Sequence, residues 1–140
     1  ETVEGKRVIV IDDSIVRGTT SKSRLGQLRK AGAKEIHVRI TCPPHRYPGY
    51  YGIDFQKKGE LLAANRTLDE IQQFLNVESL CYLSVEGMMS CATQPQNYFC
   101  NACFTSNYPT PIEEETKNLS VKKPYECFEK IRHMVIYYVR

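Results

Sequence analysis

Val8-Ile9-Val10-Ile11-Asp12-Asp13-Ser14-Ile15-Val16-Arg17-Gly18-Thr19-Thr20 decides how this chain is read. Its first four residues are β-branched and apolar without polar alternation. That is the pattern of a strand buried on both faces, as in a parallel sheet. Asp12-Asp13 ends the strand. Ser14 to Thr20 reads as a loop leading into a helix, with Thr20 or Ser21 as the side-chain cap. Leu25, Leu28 and Ala31 share one face of that helix, and Gly32 stops it. Ile36, Val38 and Ile40 then alternate with polar residues, so residues 35–41 read as a second strand. Strand, helix and strand in this order make a βαβ unit, normally a right-handed crossover between parallel strands. The fold class is therefore α/β.

Beyond the second strand, Cys42 to Asp54 is a loop, because Pro43, Pro44, Pro48, Gly49 and Gly52 prevent regular structure. His45, Tyr47, Tyr50 and Tyr51 interleave with them. Without an adjacent basic patch, packing within the loop is the default reading and base stacking the lesser one. Residues 60–64 read as a short helix. Thr67-Leu68-Asp69-Glu70 is a capping-box sequence, and Leu68, Ile71, Phe74 and Leu75 share a face of the helix it opens. Residues 79–84 read as a third strand and residues 85–91 as a short helix. From Ala92 to Lys123 the chain is irregular and rich in Asn, Pro and Thr. In the tail, residues 113–140, Phe128, Ile131, Val135 and Tyr138 fit one helical face behind Pro124, although Met134–Val139 is rich in β-formers. A helix is the expectation there.

The length of 140 residues suits one domain with its own core. Charged residues make up 25% and the hydrophobic set 41%, which excludes a disordered chain. A net charge of +3, without a basic cluster, gives no footprint for nucleic acid. No apolar run approaches the roughly 20 residues of a membrane helix, and no signal peptide opens the chain. The expectation is a cytoplasmic protein with neither membrane nor nucleic acid as partner. Glu1 in place of an initiator methionine points to a fragment or a processed product. The six Cys would be a disulfide framework in a secreted protein, but an α/β body of ordinary apolar content needs none. A reducing compartment is the favoured reading, and the sequons at Asn65 and Asn118 are then chance. His37 should face away from Ile36 and Val38, in a solvated or hydrogen-bonded role.

The chemistry lies in the opening segment. In open α/β sheets, ligands bind at the carboxyl ends of strands. A helix N-terminus there presents free N–H groups and a partial positive charge, which suits a phosphate. Gly18 lets backbone approach that phosphate closely, and Thr19 and Thr20 add hydroxyl donors. Asp12 and Asp13 cannot bind phosphate directly. They can accept hydrogen bonds from sugar hydroxyls, or hold Mg²⁺ that a pyrophosphate also ligates. Together these groups describe a site for a phosphorylated sugar. A lone Asp-Asp would more often be a solvated turn, but here the acids, the glycine and the hydroxyls agree on one ligand geometry.

Val8–Thr20 resembles the phosphoribosyl-pyrophosphate (PRPP) signature of the type I phosphoribosyltransferases, and more narrowly the form found in the amidophosphoribosyltransferase family. Gly32–Ile40, Tyr51–Asp54, Glu60–Asn65, Leu83–Met88 and Cys100–Thr105 fit the same family in the same order. The resemblance covers roughly residues 1–112, read as the C-terminal part of a phosphoribosyltransferase domain; the tail matches nothing nameable. It implies a parallel-sheet fold incomplete at its N-terminus, with an irregular Cys-containing C-terminal region. It implies transfer of glutamine-derived ammonia to C1 of PRPP, giving 5-phosphoribosylamine in de novo purine synthesis. Asp12 and Asp13 would bind the ribose hydroxyls and Mg²⁺. Ser14, Val16, Arg17, Gly18, Thr19 and Thr20 would hold the ribose and its 5′-phosphate. Catalysis would rest on positioning and electrostatics around the leaving pyrophosphate, with no protein nucleophile. Purine nucleotides are implied as inhibitors, and a homo-oligomer is implied for the full-length parent. The family's glutaminase domain, pyrophosphate loop and lid lie upstream of Glu1, so the 140-residue chain alone is expected to be inactive. The other reading is a non-catalytic PRPP- or nucleotide-binding regulatory module on the same fold.

Cys100-Asn101-Ala102-Cys103 is a C-x-x-C pair. On sequence alone it is half a metal site, a redox pair or two free thiols. Cys81 and Cys91 would complete a four-thiolate zinc site only at unusual spacings. The resemblance implies iron–sulfur ligands at Cys100 and Cys103, as in one branch of the family. That branch's third ligand follows the Pro before the Tyr50-Tyr51-Gly52-Ile53 segment, where Gly49 follows Pro48 here, and its fourth lies upstream of Glu1. A cluster is thus compatible with a full-length parent and not expected of this chain, with Cys42 as a substitute ligand only if its loop folds back.

Overall fold

The computed structural model describes residues 2–51, 57–112 and 135–138. Strand β1, Arg7–Asp12, runs into helix α1, Thr19–Lys30, which returns to β2, Glu35–Ile40. A 3₁₀ turn at Lys58–Glu60 precedes α2, Leu62–Asn65, and α3, Leu68–Leu75. Strand β3, Ser79–Tyr82, is followed by α4, Val85–Ser90, a 3₁₀ turn at Gln96–Tyr98, and α5, Ala102–Thr105. Strand β4 is Val135–Tyr138.

The sheet order is β3-β2-β1-β4, and all three pairings are parallel. Val8 is paired with Ile36 on one side and Val135 on the other. The chain therefore steps outward from β1 through β2 to β3, then returns to the opposite side of β1. That reversal makes the carboxyl end of β1 a topological switch point, where doubly wound sheets open a crevice.

The apolar run behaves as its composition demands. Val8, Ile9 and Val10 are buried, with Val8 and Val10 on the face covered by Leu25, Leu62, Ile71 and Leu75 and Ile9 on the other. Fully burying each such side chain contributes about 1.5–3 kcal/mol, the main reason for the order of the sheet. The second face sets polar side chains beside Ile9. Glu35 accepts from Arg7 Nε at 2.5 Å and lies 3.1 Å from His37 Nε2. His37 Nδ1 lies 2.8 Å from Ser79 Oγ, which also accepts from Arg39 Nη1 at 2.9 Å. His37 is thus hydrogen-bonded, one of the two roles expected of it, and buried, not solvated. The Arg7 guanidinium, then His37, hold the Glu35 carboxyl below its ordinary value.

The Thr67 capping box is complete: Glu70 N–H donates to Thr67 Oγ1 at 3.3 Å, and Thr67 N–H donates to Glu70 Oε2 at 2.6 Å. Gly32 has φ +88° just past α1, the left-handed stop expected of it.

Several expectations are corrected. The helix predicted through Val135 and Tyr138 is replaced by strand over Val135–Tyr138, paired in parallel with β1; β-branched and aromatic residues favour strand. Phe128, Ile131, Asn118 and most of Tyr51–Asp54 lie outside the described residues. The 60–64 helix is two elements, a 3₁₀ turn and α2, broken at Leu61. Ala31 is exposed and takes no part in the apolar face of α1. Cys42, Cys91, Cys100 and Cys103 are free thiols. The side chain of Asn65 donates to the carbonyl oxygens of Lys58, Gly59 and Leu61, at 3.1, 3.4 and 2.8 Å. It serves the local backbone.

Candidate functional site

The strand delivers Asp12 and Asp13 to the switch point, and the loop that follows closes a cleft of about 280 Å³. The cleft is lined by Asp12, Asp13, Ser14, Val16, Arg17, Gly18, Thr19 and Thr20, so every substrate-binding residue expected from the sequence meets in one place. Ser21 and Arg24, which the sequence reading passed over, complete the lining. Both lie on α1 within two turns of its start; Arg24 stands four residues after Thr20, the helical spacing that would have found it, and Ser21 directly follows Thr20. The volume is near the lower end of the roughly 300–1,000 Å³ typical of ligand pockets, a size suited to a sugar phosphate.

The helix start differs from the predicted Thr20 or Ser21 cap. Gly18 is the N-cap, at φ +78°, and no side chain caps α1. A carbonyl takes over at the fourth amide: Lys22 N–H donates to Gly18 O at 2.9 Å. The amides of Thr19, Thr20 and Ser21 have no intrahelical acceptor by helix geometry, no side chain caps them, and all three residues line the cleft. No acid stands in the first turn. Three backbone donors and the positive end of a twelve-residue helix are therefore left open to an anion.

The acids are arranged differently. Asp13 N–H donates to Asp12 Oδ1 at 3.0 Å, and Ser14 Oγ donates to Asp13 Oδ1 at 3.2 Å. Thr41 N–H donates to the Asp12 carbonyl at 3.0 Å, tying the strand end to β2. Burial pushes the Asp12 carboxyl above its ordinary value; the Asp13 amide and Arg24 oppose that rise, and the Asp13 charge adds to it. Two adjacent carboxylates, one of them raised by its setting, gain from a cation placed between them and a bound phosphate. This donor set fits Mg²⁺, which binds through one or two carboxylates plus substrate oxygens and water.

The iron–sulfur expectation fares otherwise. Cys100 is exposed, while Cys103 is buried beside Leu61. Burial, then Cys100, pushes the Cys103 thiol up to about 11. Cys42 does fold back toward this region, but burial, then Asp13, Cys103 and Asp12, pushes its thiol up to about 12. Among the described residues, no group of three or more His, Cys, Asp or Glu is placed to hold a metal ion.

Fold and site together define the class: a parallel α/β protein of the phosphoribosyltransferase kind. No family model matches the chain. Curated relatives do. An amidophosphoribosyltransferase of Methanothermobacter thermautotrophicus is 47% identical over 113 residues, covering 81% of this chain and 24% of the relative. That of Bacillus subtilis is 45% identical over 125 residues, covering 86% and 26%. The solved glutamine PRPP amidotransferase from B. subtilis, complexed with ADP and GMP, superposes with a TM-score of 0.72 at 46% identity. It covers 81% of this chain and 26% of that one. The chain belongs to the amidophosphoribosyltransferase family, and it spans about a quarter of the length of the relatives it matches.

No helix among the described residues is long and apolar enough to cross a membrane.

Proposed function

We propose that this chain forms the ribose-5-phosphate side of the PRPP site in an enzyme that transfers glutamine-derived ammonia to PRPP, yielding 5-phosphoribosylamine for purine synthesis. On this reading residues 1–112 are the C-terminal part of its phosphoribosyltransferase domain. The observation that carries the proposal is the uncapped start of α1 beside Asp12 and Asp13 at the switch point. The 5′-phosphate takes the Thr19–Ser21 amides and the Thr19 and Thr20 hydroxyls. The ribose hydroxyls take the carboxylates. This fixes C1 at the mouth of the cleft, where the bond to pyrophosphate breaks as the bond to nitrogen forms.

Mg²⁺, held by Asp12 and Asp13, would neutralise charge on the departing pyrophosphate. The residues of this chain act by holding: they orient the sugar and supply fixed dipoles, and none attacks C1. Purine nucleotides carry the same ribose 5′-phosphate unit as PRPP, and the B. subtilis relative was solved with ADP and GMP. Such nucleotides would compete for the same amides. A homo-oligomeric, cytoplasmic full-length enzyme accords with this reading.

Calorimetric titration of the chain with PRPP and Mg²⁺ tests it. Saturable binding is expected, weakened about tenfold or more by Asp13→Asn, since hydrogen bonds to a charged group contribute about 1.5–3 kcal/mol. No heat from the unmodified chain would refute the proposal.

A further inference from the structure

We propose that Glu60 is a positioning residue of the phosphate loop, acting through Arg17, and that the Lys58–Asn65 segment is a clamp which sets the shape of the loop before phosphate arrives. The inference rests on the reading above, in which Ser14 to Thr20 receive the 5′-phosphate.

Four independent contacts join the two segments. Glu60 Oε2 accepts from Arg17 Nε at 3.0 Å and also from Arg17 Nη2. Leu62 N–H donates to Val16 O at 2.9 Å. The Leu62 side chain fills the space beside Gly18: a Cβ built there would stand 2.7 Å from Leu62 Cδ2. Val16 packs against the small cluster formed by Leu61 and Cys103. Every residue from Val16 to Gly18 is therefore fixed by a segment some 43 positions away. The clamp is itself braced, because the three carbonyl bonds of the Asn65 amide pin the turn that carries Glu60.

The geometry assigns a division of labour. Arg17 lines the cleft, yet two of its guanidinium nitrogens are directed to Glu60. The pair holds Arg17 to one side, so backbone amides meet the phosphate at the helix start. A loop held in its binding shape avoids the entropy of ordering on association, and affinity rises accordingly. The Arg17 and Glu60 side chains are 52% and 38% exposed, so the ion pair alone is weak. Its effect should be local and modest.

The test is Glu60→Gln in the full 140-residue chain, read two ways. PRPP·Mg²⁺ affinity should fall roughly three- to fivefold, the scale of an exposed ion pair. In the ligand-free chain, hydrogen exchange should quicken by a similar factor at two amides that report the clamp. These are Leu62, bonded to Val16 O, and Lys22, bonded to Gly18 O. The Leu83 amide, bonded to Ile40 O, should not change. Asn65→Ala should act in the same direction. Exchange that is unchanged at Leu62 and Lys22, or faster at Leu83 as well, would overturn the proposal. If the unmodified chain binds no PRPP, the functional reading fails while the exchange data still decide on the clamp.

Discussion

The loops that leave the carboxyl ends of β1 and β2 stand side by side and are built on opposite plans. After β2, the loop consumes its own polar groups. Arg46 and Tyr47 amides both donate to Cys103 O at 3.1 Å, and Tyr108 Oη donates to Pro48 O at 2.9 Å. His45 and Phe104 rings lie 4.8 Å apart, and Tyr50 and Tyr108 rings 5.3 Å apart. Burial depresses His45, with Asp13 opposing it, and raises Cys42. The loop after β1 leaves its polar groups unspent: exposed Asp13, Thr19 and Thr20, and the open amides of α1. On the proposed function, one loop is a wall and the other a receptor. A parallel sheet gives both the same starting geometry, so the difference is written in side chains. Pro and aromatics close the first, while Asp, Gly and Thr hold the second open.

The sharpest break of that contrast is Gly18→Ala. A side chain at φ +78°, with Leu62 Cδ2 at 2.7 Å and Phe74 Cε1 at 3.2 Å from the new Cβ, must push the receptor loop away from α2 and α3. PRPP binding should fall more than about tenfold and stability by about 1–3 kcal/mol, as calorimetry and thermal unfolding will read. Gly26→Ala, in the middle of α1 with nothing within 4 Å, is its counterpart and should stabilise the chain by up to about 1 kcal/mol.

The effect of acid comes next. Asp12 has a raised pKa in the folded chain, so its ionised form costs stability, and that cost disappears as pH falls through the raised value. Mg²⁺ needs the carboxylate. Affinity for PRPP·Mg²⁺ should therefore begin to weaken at a higher pH than an ordinary aspartate would give. Asp12→Asn should remove that step in a pH series while leaving the fold slightly more stable.

The smallest effect concerns the wall. With thiols pushed up to about 12 and about 11, Cys42 and Cys103 should resist alkylation at pH 8. Exposed Cys91 and Cys100 should react first by peptide mass mapping. Early labelling of Cys42 would mean that the wall opens.

Much of this was legible in the sequence, for reasons particular to each element. Residues 7–40 declare themselves because β1, α1 and β2 form a local unit whose periodicities change from strand to helix and back. Thr67 and Glu70 declare a helix start because both halves of the capping box are close in sequence. The Gly18 cap was hidden: Thr20 and Ser21 satisfy the usual side-chain rule, and only the left-handed backbone shows that the helix starts earlier. Val135–Tyr138 was misread because its helical spacing is real, while the edge of β1 that converts it to strand is more than a hundred residues away. The Glu60–Arg17 pair is invisible for the same reason, since exposed charges carry no periodic signal and their partner is fixed only by the fold.

The central claim is that the amides at the start of α1 are the phosphate receptor. Titrating the ¹⁵N-labelled chain with ribose 5-phosphate in the presence of Mg²⁺ tests it most directly. The account predicts the largest saturable amide shifts at Thr19, Thr20 and Ser21, with little change at Cys42–Tyr51. Largest shifts in the β2 loop, or none at the start of α1, would contradict it.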